Sequence, residues 1–335
     1  MFNLDYFAEM EFDVMKKINT VGSAEAAVEL VKRKRRKKHT NTFALTMLAM
    51  PAIIWFLIFS YAPMAGSLIA FKNFKPKLGF FASEWVGLDN FKYLFGSNDA
   101  SRIVFNTLFY NFVSVFLVAA VSVLVAILMD IVSKKYFLKL YQSMLFLPRF
   151  VSWVVVGFIG LSLFDYDMGV LNEINETMGN EPISWYMSPQ YWKGILLTAN
   201  VWKSVGYTSL IYYGAILGID SEIYEAADID GATFRQRIFR ITLPLIKPTI
   251  IMMMIMSVGN IMRADFGLFY YVPNNSGALY ETTDVLDTYI YRAMRGLGDF
   301  STSAAVSFFQ SVVGLILVVV CNKIVKKIDE DSSLF

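Results

Sequence analysis

The segment DSEIYEAADIDGATFRQRIFRITLPLIK, residues 220–247, contains two helical patterns separated by a glycine. Up to Asp230 it is acidic, with small apolar residues at helical spacing, and the Ser221 hydroxyl is a candidate N-cap. Gly231 predicts a left-handed turn that ends this first helix. Residues 233–241 predict a second helix, with arginines on one face and apolar residues on the other. The segment therefore predicts a helix-turn-helix elbow with an acidic first arm and a basic second arm.

On both sides of this elbow the chain is apolar enough to cross a membrane. A spanning helix needs about 20 apolar residues. Pro244 is expected to end the second arm, and Pro248 to start the next span. Working outward, we predict an all-α integral membrane protein with six transmembrane helices, at residues 43–71, 103–129, 141–164, 194–219, 248–272 and 300–322.

The composition agrees with a membrane protein and excludes several classes of enzyme. Hydrophobic residues make up 56% of the 335 residues and charged residues 17%, whereas an ordinary globular domain has about 45–50% and about 25%. A single cysteine, Cys321, excludes an intrachain disulfide, and a single histidine, His39, excludes the clusters of Cys and His that bind zinc. We therefore expect no catalytic residue and no metal site.

The distribution of Lys and Arg predicts the orientation of the chain. With the N-terminus inside, 20 of the 30 basic residues fall on the cytoplasmic side, counting Arg149 near the inner end of the third span among them. Eight fall outside, and Lys203 and Arg263 lie deeper within spans. Because positive charge is retained on the cytoplasmic side, this bias predicts that both termini and the elbow are cytoplasmic.

Three regions follow from this topology. Residues 1–39 form a cytoplasmic extension with a short amphipathic helical pattern and a basic run at residues 32–38. Residues 40–327 form the six-span domain, and residues 328–335 form a cytoplasmic tail. The apolar stretch after the basic run is far longer than a signal-peptide core of about 7–15 residues, so we expect an uncleaved span. We expect the run to favour anionic lipid rather than nucleic acid.

The elbow also carries a specific spacing, EAA-x3-G-x9-I-x-LP, formed by Glu225, Ala226, Ala227, Gly231, Ile241, Leu243 and Pro244. This pattern resembles the signature loop of the membrane (permease) subunits of bacterial binding-protein-dependent ABC importers. Within them, the chain resembles the carbohydrate-uptake group, and most of all the permeases for oligosaccharides and polysaccharide fragments. The further matching motifs are Phe146-Leu147-Pro148, Val201-Trp202-Lys203 and DVLDTYIYR at residues 284–292. The resemblance covers residues 43–327.

The resemblance implies that the chain is one half of a transporter in a bacterial plasma membrane. A second, homologous permease subunit would complete the pathway, two copies of a cytoplasmic ATPase subunit would drive it, and an extracytoplasmic solute-binding protein would deliver the sugar. The elbow would couple to the ATPase through Glu225, Ala226, Ala227, Asp228, Gly231, Leu243 and Pro244. The chain has no G-x-x-x-x-G-K-[ST] loop. We therefore expect ATP and Mg on the ATPase, no cofactor on this chain, and no enzymatic activity of its own.

Polar residues inside the predicted spans are candidates for the pathway, because charges at membrane depth face protein or water. Lys203 and Asp265 lie at depths that a lysine side chain bridges, so we predict an intramembrane ion pair between them. Asn260 and Arg263 share a face of the predicted fifth helix, and with Trp202 they are candidates for contact with substrate. The alternatives are snorkelling of Arg263 to the outer head groups and separate solvation of Lys203 and Asp265.

Three other interpretations remain open at this point. The elbow is, on its physics alone, also consistent with an interfacial helix that only orients the fifth span. An ion-coupled secondary transporter would need acidic groups near the bilayer midplane and often has an internal repeat, but Asp265 is the one acid inside a predicted span. An intramembrane serine protease would have to use Lys203 as its base. Co-purification of a soluble ATPase and a second permease distinguishes an ABC permease from both.

Overall fold

The computed structural model describes residues 43, 45–92, 96–132 and 134–328, and this part of the chain is predominantly helical. The predicted extension of residues 1–39 lies outside the described residues, as does the predicted tail apart from residue 328. The chain divides into two compact units, Met1–Gly66 and Ser67–Phe335.

The helices, in chain order, are α1 (Leu45–Phe71), α2 (Gly79–Ala82), α3 (Asn98–Ile131), α4 (Lys135–Phe146), α5 (Trp153–Phe164), α6 (Val170–Thr177), α7 (Pro189–Leu217), α8 (Ser221–Ile229), α9 (Phe234–Val258), α10 (Phe266–Tyr271), α11 (Tyr280–Thr283), α12 (Leu286–Gly296) and α13 (Phe300–Ile328). Single 3₁₀ turns lie at Asp89–Phe91, Leu147–Phe150, Trp185–Met187 and Gly277–Leu279. Two strands, β1 (Lys72–Asn73) and β2 (Glu84–Trp85), form an antiparallel hairpin around α2, with Lys72 opposite Trp85.

Among the described residues, four helices are long and apolar enough to cross a membrane, namely α1, α3, α9 and α13. The bent pair of α4 and α5 is a fifth candidate. α7 has 29 residues, about 44 Å of helix, which is enough to cross a bilayer. It carries Lys193 and Lys203 and is more polar than the other four.

The third predicted span, 141–164, is a bent pair rather than one helix. α4 and α5 meet at 95°, on either side of the 3₁₀ turn Leu147–Phe150. Pro148 has no N–H to donate, so one bond of the α-helical ladder is missing at this turn. The extended backbone of Val151 then turns the chain. Ser152 then starts α5, because its hydroxyl accepts the Val155 N–H at 3.3 Å.

The predicted bounds of the fifth span, 248–272, are wrong. α9 begins at Phe234, so the second arm of the elbow and the span are one helix, and Pro244 lies inside it. A π-helical turn, Ile238–Thr242, precedes Pro244, just as Leu57–Tyr61 precedes Pro63 in α1. Proline crowds the carbonyl four residues earlier, and the wider π turn accommodates it without ending the helix.

The same span ends earlier than predicted. α9 stops at Val258, residues 259–265 form turns and extended backbone, and the short α10 follows. The fifth span is therefore discontinuous, and its unwound segment, residues 259–265, lies between two helical pieces.

α7 is the central helix of the second unit and packs against α3, α4 and α9. Gly206 allows a close approach to the end of α4, because a Cβ at this position would lie 1.7 Å from the Leu145 carbonyl oxygen. Near its start, α7 contributes Trp192 and Leu196 to a core that also includes Phe269 of α10. The core thus holds α10 in place although it is only six residues long.

Candidate functional site

The elbow begins with a cap one residue earlier than predicted. The Asp220 carboxylate, not the Ser221 hydroxyl, accepts the N–H of Glu222 at 3.0 Å and starts α8. A carboxylate at this position also interacts favourably with the positive end of the helix dipole.

The turn between the two arms is a Schellman motif centred on Gly231. Gly231 has φ +73°, which confirms the predicted left-handed turn. The N–H of Ala232 donates to the Ala227 carbonyl at 2.9 Å, and the N–H of Gly231 donates to the Asp228 carbonyl at 3.1 Å. These two bonds satisfy carbonyls that the end of α8 would otherwise leave open.

Side-chain contacts hold the two arms of the elbow together. The Arg237 guanidinium of α9 pairs with Asp228 of α8 at 2.8 Å and lies 5.1 Å from the centre of the Tyr224 ring. The Tyr224 and Thr242 hydroxyls are hydrogen-bonded at 3.0 Å. Asp228, one of the predicted coupling positions, therefore also closes the elbow.

The surface of the elbow combines acidic and apolar groups. Glu225 and Ala226 are exposed, whereas Ala227 is buried and faces the chain. Ile229 is 87% exposed and Phe234 is 55% exposed on either side of the Gly231 turn. At the far end, Leu243 is half-buried and Pro244 exposed. Of the predicted coupling positions, Ala227 and Leu243 are thus the two least available to a partner.

A cavity with both polar and apolar lining lies between α3, α7, α9 and the unwound segment. It has two adjoining parts, of about 180 Å³ and 290 Å³, and both are lined by Asn111, Ser114, Asn200 and Arg263. Asp265 lines the smaller part, and Asn260 lines the larger. Amide, hydroxyl and guanidinium groups supply both donors and acceptors, which is the chemistry that binds sugar hydroxyls.

The structure brings two of the three predicted substrate residues to this cavity. Asn260 and Arg263 line it, although they lie on an unwound segment and not on one helical face as predicted. The Arg263 guanidinium donates to the Ser311 hydroxyl at 3.1 Å, which attaches it to α13. Trp202 lines neither part and is 44% exposed.

Three side chains from distant parts of the sequence satisfy the backbone of the unwound segment. Asn111 donates to the carbonyls of Ile261 and Arg263 at 2.9 and 3.2 Å. Gln310 donates to the Met262 carbonyl at 2.7 Å, and the Asp287 carboxylate accepts the Ala264 N–H at 2.7 Å. Unwound backbone persists at membrane depth only where protein or water satisfies its polar groups. The sequence analysis missed all three, namely Asn111, Asp287 and Gln310.

The motif DVLDTYIYR contains one of these three residues, Asp287, and so could have indicated it from the sequence. Its first acid, Asp284, is paired with Arg292 at 2.5 Å and accepts the Thr288 hydroxyl at 2.7 Å. Its second acid, Asp287, lies in α12. Burial raises the pKa of the Asp287 carboxyl above its usual value, whereas its hydrogen bonds and the charge of Arg263 act in the opposite direction. The motif therefore stabilises the discontinuity of the fifth span.

The predicted ion pair between Lys203 and Asp265 is wrong as a direct contact: among the described residues, no such pair lies within salt-bridge distance. The Lys203 ammonium instead donates to the Val151 carbonyl and lies 4.3 Å from the centre of the Trp153 ring. The Trp153 indole N–H donates to Asp265 at 2.7 Å. The bend after Pro148 places this tryptophan between the two charges.

Comparisons with known proteins agree with one another. A model of the family described as binding-protein-dependent transport system inner membrane component matches residues 122–329. The chain is 36% identical to Protein LplB of Bacillus subtilis (strain 168) over 86% of the chain and 90% of that protein. It is 34% identical to the polygalacturonan/rhamnogalacturonan transport system permease protein YteP of the same strain, over 95% of the chain and 99% of that protein.

The fold is shared with a solved structure. The crystal structure of a bacterial alginate ABC transporter, in complex with an alginate pentasaccharide-bound periplasmic protein, contains a chain with a TM-score of 0.78 and 32% identity. The match covers 87% of this chain and 97% of that one.

Proposed function

The chain belongs to the family of binding-protein-dependent transport system inner membrane components, and on that premise we propose that it carries an oligosaccharide. It acts as the permease subunit of an ATP-driven ABC importer and forms half of the translocation pathway. The family assignment confirms the resemblance found in the sequence and favours this function over an ion-coupled secondary transporter. The observation that carries the substrate proposal is the cavity beside the unwound segment.

The cavity supports a carbohydrate because its lining offers hydrogen bonds at many points. Asn111, Asn200 and Asn260 each have an amide that both donates and accepts, and Arg263 donates in a planar fork. The relative YteP is named for the transport of polygalacturonan and rhamnogalacturonan, and the structural neighbour is described as an alginate ABC transporter. A fragment of a polysaccharide is therefore the class of cargo that we assign to this chain.

The proposed arrangement in the membrane has six spans and two cytoplasmic termini. The spans are α1, α3, the bent pair of α4 and α5, α7, α9 continued by α10, and α13. The elbow then lies on the cytoplasmic face of the bacterial plasma membrane. Support comes from the positive-inside bias of the sequence and from the candidate spans of the structure.

The proposed partners are a second homologous permease subunit, two copies of a cytoplasmic ATPase subunit and an extracytoplasmic solute-binding protein. The ATPase binds the elbow at the predicted coupling positions of α8 and its turn, namely Glu225, Ala226, Ala227, Asp228 and Gly231. Leu243 and Pro244 lie further along, inside α9. ATP and Mg are bound by the ATPase, and this chain binds no cofactor. The periplasmic protein bound to the structural neighbour supports the third partner.

The function is tested with the complete transporter in lipid vesicles, with the cognate binding protein and a labelled oligosaccharide. We expect ATP-dependent uptake and ATP hydrolysis stimulated by the sugar-loaded binding protein. Arg263→Ala should raise the half-saturating concentration or lower the maximal rate by about tenfold or more, since a hydrogen bond to a charged group contributes about 1.5–3 kcal/mol.

The matched control is Arg295→Ala, because Arg295 is exposed at the end of α12 and lines neither part of the cavity. It should transport like the unmodified protein. If no ATPase co-purifies with the chain, or if Arg263→Ala transports as well as the control, the proposal fails.

A further inference from the structure

Lys203, Trp153 and Asp265 form one cluster that joins three separate elements; we call it the Lys–Trp–Asp cluster. Lys203 lies near the middle of α7, Trp153 is the first residue of α5, and Asp265 is the N-cap of α10. The Lys203 ammonium lies 4.3 Å from the centre of the Trp153 ring, and the indole N–H of that ring donates to Asp265 at 2.7 Å. The two charges therefore act on each other through the tryptophan.

Each end of the cluster is attached to a discontinuity in a span. Lys203 donates to the carbonyl of Val151, the residue that follows the 3₁₀ turn of the bent third span. Asp265 ends the unwound segment of the fifth span, and its second carboxylate oxygen accepts the Gly267 N–H at 3.0 Å. The cluster thus connects the two places where regular helical bonding is interrupted.

Two glycines bring α5 and α10 into close contact beside the cluster. A Cβ on Gly267 would lie 2.2 Å from Cδ1 of Trp153, so the indole lies directly against the backbone of α10. A Cβ on Gly157 would lie 2.7 Å from the Tyr271 carbonyl oxygen, at the other end of α10. The two short helices therefore pack as a pair, with the cluster at one end.

In the Lys–Trp–Asp cluster, the bond at Asp265 strengthens the attraction between Lys203 and the Trp153 ring. Lys203 is only 9% exposed, and a buried ammonium is stable only with compensating partners. The ring face attracts the ammonium, and the bond from the indole N–H to a carboxylate polarises the ring and strengthens that attraction. Removing the Asp265 charge should therefore affect Lys203 although the two side chains do not touch.

We infer that Lys203, Trp153 and Asp265 are positioning residues of the transport cycle. They keep the bend of the third span and the unwound segment of the fifth in a fixed relation across α7. Asp265 and its neighbour Arg263 then keep their places on the cavity wall. This inference rests on the proposed function, because it assigns the cavity to the cargo.

The geometry specifies which substitutions should compensate for each other. Exchanging the charges, with Lys203→Asp and Asp265→Lys, should not restore function, because the new carboxylate would face the Val151 carbonyl and the negative face of the indole. Neutralising both charges, with Lys203→Met and Asp265→Asn in one protein, should leave more function than the two single losses added together would predict. If the two side chains formed a direct ion pair, exchanging the charges should instead restore more function than neutralising both.

The test is a double-mutant cycle in the assembled transporter. Thermal unfolding in detergent and sugar-stimulated ATP hydrolysis are measured for Lys203→Met, Asp265→Asn and the double variant, first alone and then with Trp153→Phe. We expect the two single effects to be coupled, with a difference of about five- to tenfold in the maximal stimulated rate. In the Trp153→Phe background the coupling should fall to the direct electrostatic attraction between the two charges, because phenylalanine has no N–H to bind the carboxylate.

Matched controls come from the same chain. Lys193 also lies on α7 with its ammonium 5.2 Å from the centre of an aromatic ring, Phe109, yet lies outside the cluster, and Trp85 is exposed on β2. Lys193→Met and Trp85→Phe should behave like the unmodified protein. Trp153→Phe alone should lower the maximal stimulated rate per assembled complex, counted by the co-purified ATPase, while the half-saturating concentration of loaded binding protein stays the same. Counting the assembled complexes separates this effect from a general loss of folded protein.

The outcomes separate the two proposals. Additive effects of Lys203→Met and Asp265→Asn, or a Trp153→Phe variant equal to Trp85→Phe, would overturn the inference. If the single charge variants do not assemble, the comparison of Trp153→Phe with Trp85→Phe decides alone. An unmodified complex without sugar-stimulated hydrolysis would refute the proposed function, whereas the thermal-unfolding cycle would still test the cluster.

Discussion

At φ +73°, Gly231 has a backbone conformation that a β-branched residue adopts only with strain. Valine there should cost about 1 kcal/mol or more, and it should open the turn between the two arms of the elbow. We expect Gly231→Val to remain in the membrane but to lose sugar-stimulated ATP hydrolysis and uptake by the assembled complex. Both are measured in vesicles, with the amount of co-purified ATPase as a third readout.

The matched variant is Gly231→Asn, because asparagine tolerates the left-handed region better than other side chains. It should retain most of the coupled activity. Loss of activity in Gly231→Asn with normal activity in Gly231→Val would show that conformation at this residue does not govern coupling.

Single residues were predictable where the cause is local. The left-handed turn at Gly231 follows from its place between two helical patterns, and it is present in the structure. The cap at Asp220 rather than Ser221 is a difference of one residue between two good capping side chains. Asn111 and Gln310 were missed because their partners are backbone groups of the unwound segment, 150 and 48 residues away in the chain.

Among the elements, the unwound segment depends most on contacts from elsewhere in the fold. In Asp287→Ala the buried Ala264 N–H loses its acceptor, which should cost about 1–3 kcal/mol. We expect a lower thermal unfolding midpoint in detergent and weaker sugar-stimulated hydrolysis. Asp287→Asn keeps an acceptor oxygen at this position and should lie closer to the unmodified protein. Equal midpoints for all three proteins would mean that Asp287 does not stabilise the segment.

Apolar periodicity predicts that helices cross a membrane more reliably than it predicts where they start and stop. The first, second and last predicted spans coincide with long helices, because no charged residue interrupts them. The fifth does not, since a π turn carries α9 through Pro244 and distant side chains unwind it after Val258. Neither cause is visible in a local window of sequence, and the 95° bend of the third span is equally hidden.

For the whole molecule, the topology is the property that a single experiment can test. A reporter fused after Phe335 should be active only as a cytoplasmic reporter, and one inserted near Gly179 only as an external one. The reason is the excess of Lys and Arg in the segments assigned to the cytoplasm. An external C-terminus would contradict the six-span arrangement.

The continuity of α9 has a mechanical consequence. Its 25 residues make a rod of about 37 Å, with the Gly231 turn of the elbow at one end and the unwound segment at the other. A tilt of about 10° about the elbow displaces the far end by about 6 Å, roughly the pitch of one helical turn. If the ATPase moves the elbow as proposed, that movement reaches Asn260 and Arg263 through the rotation of α9 as one rigid helix.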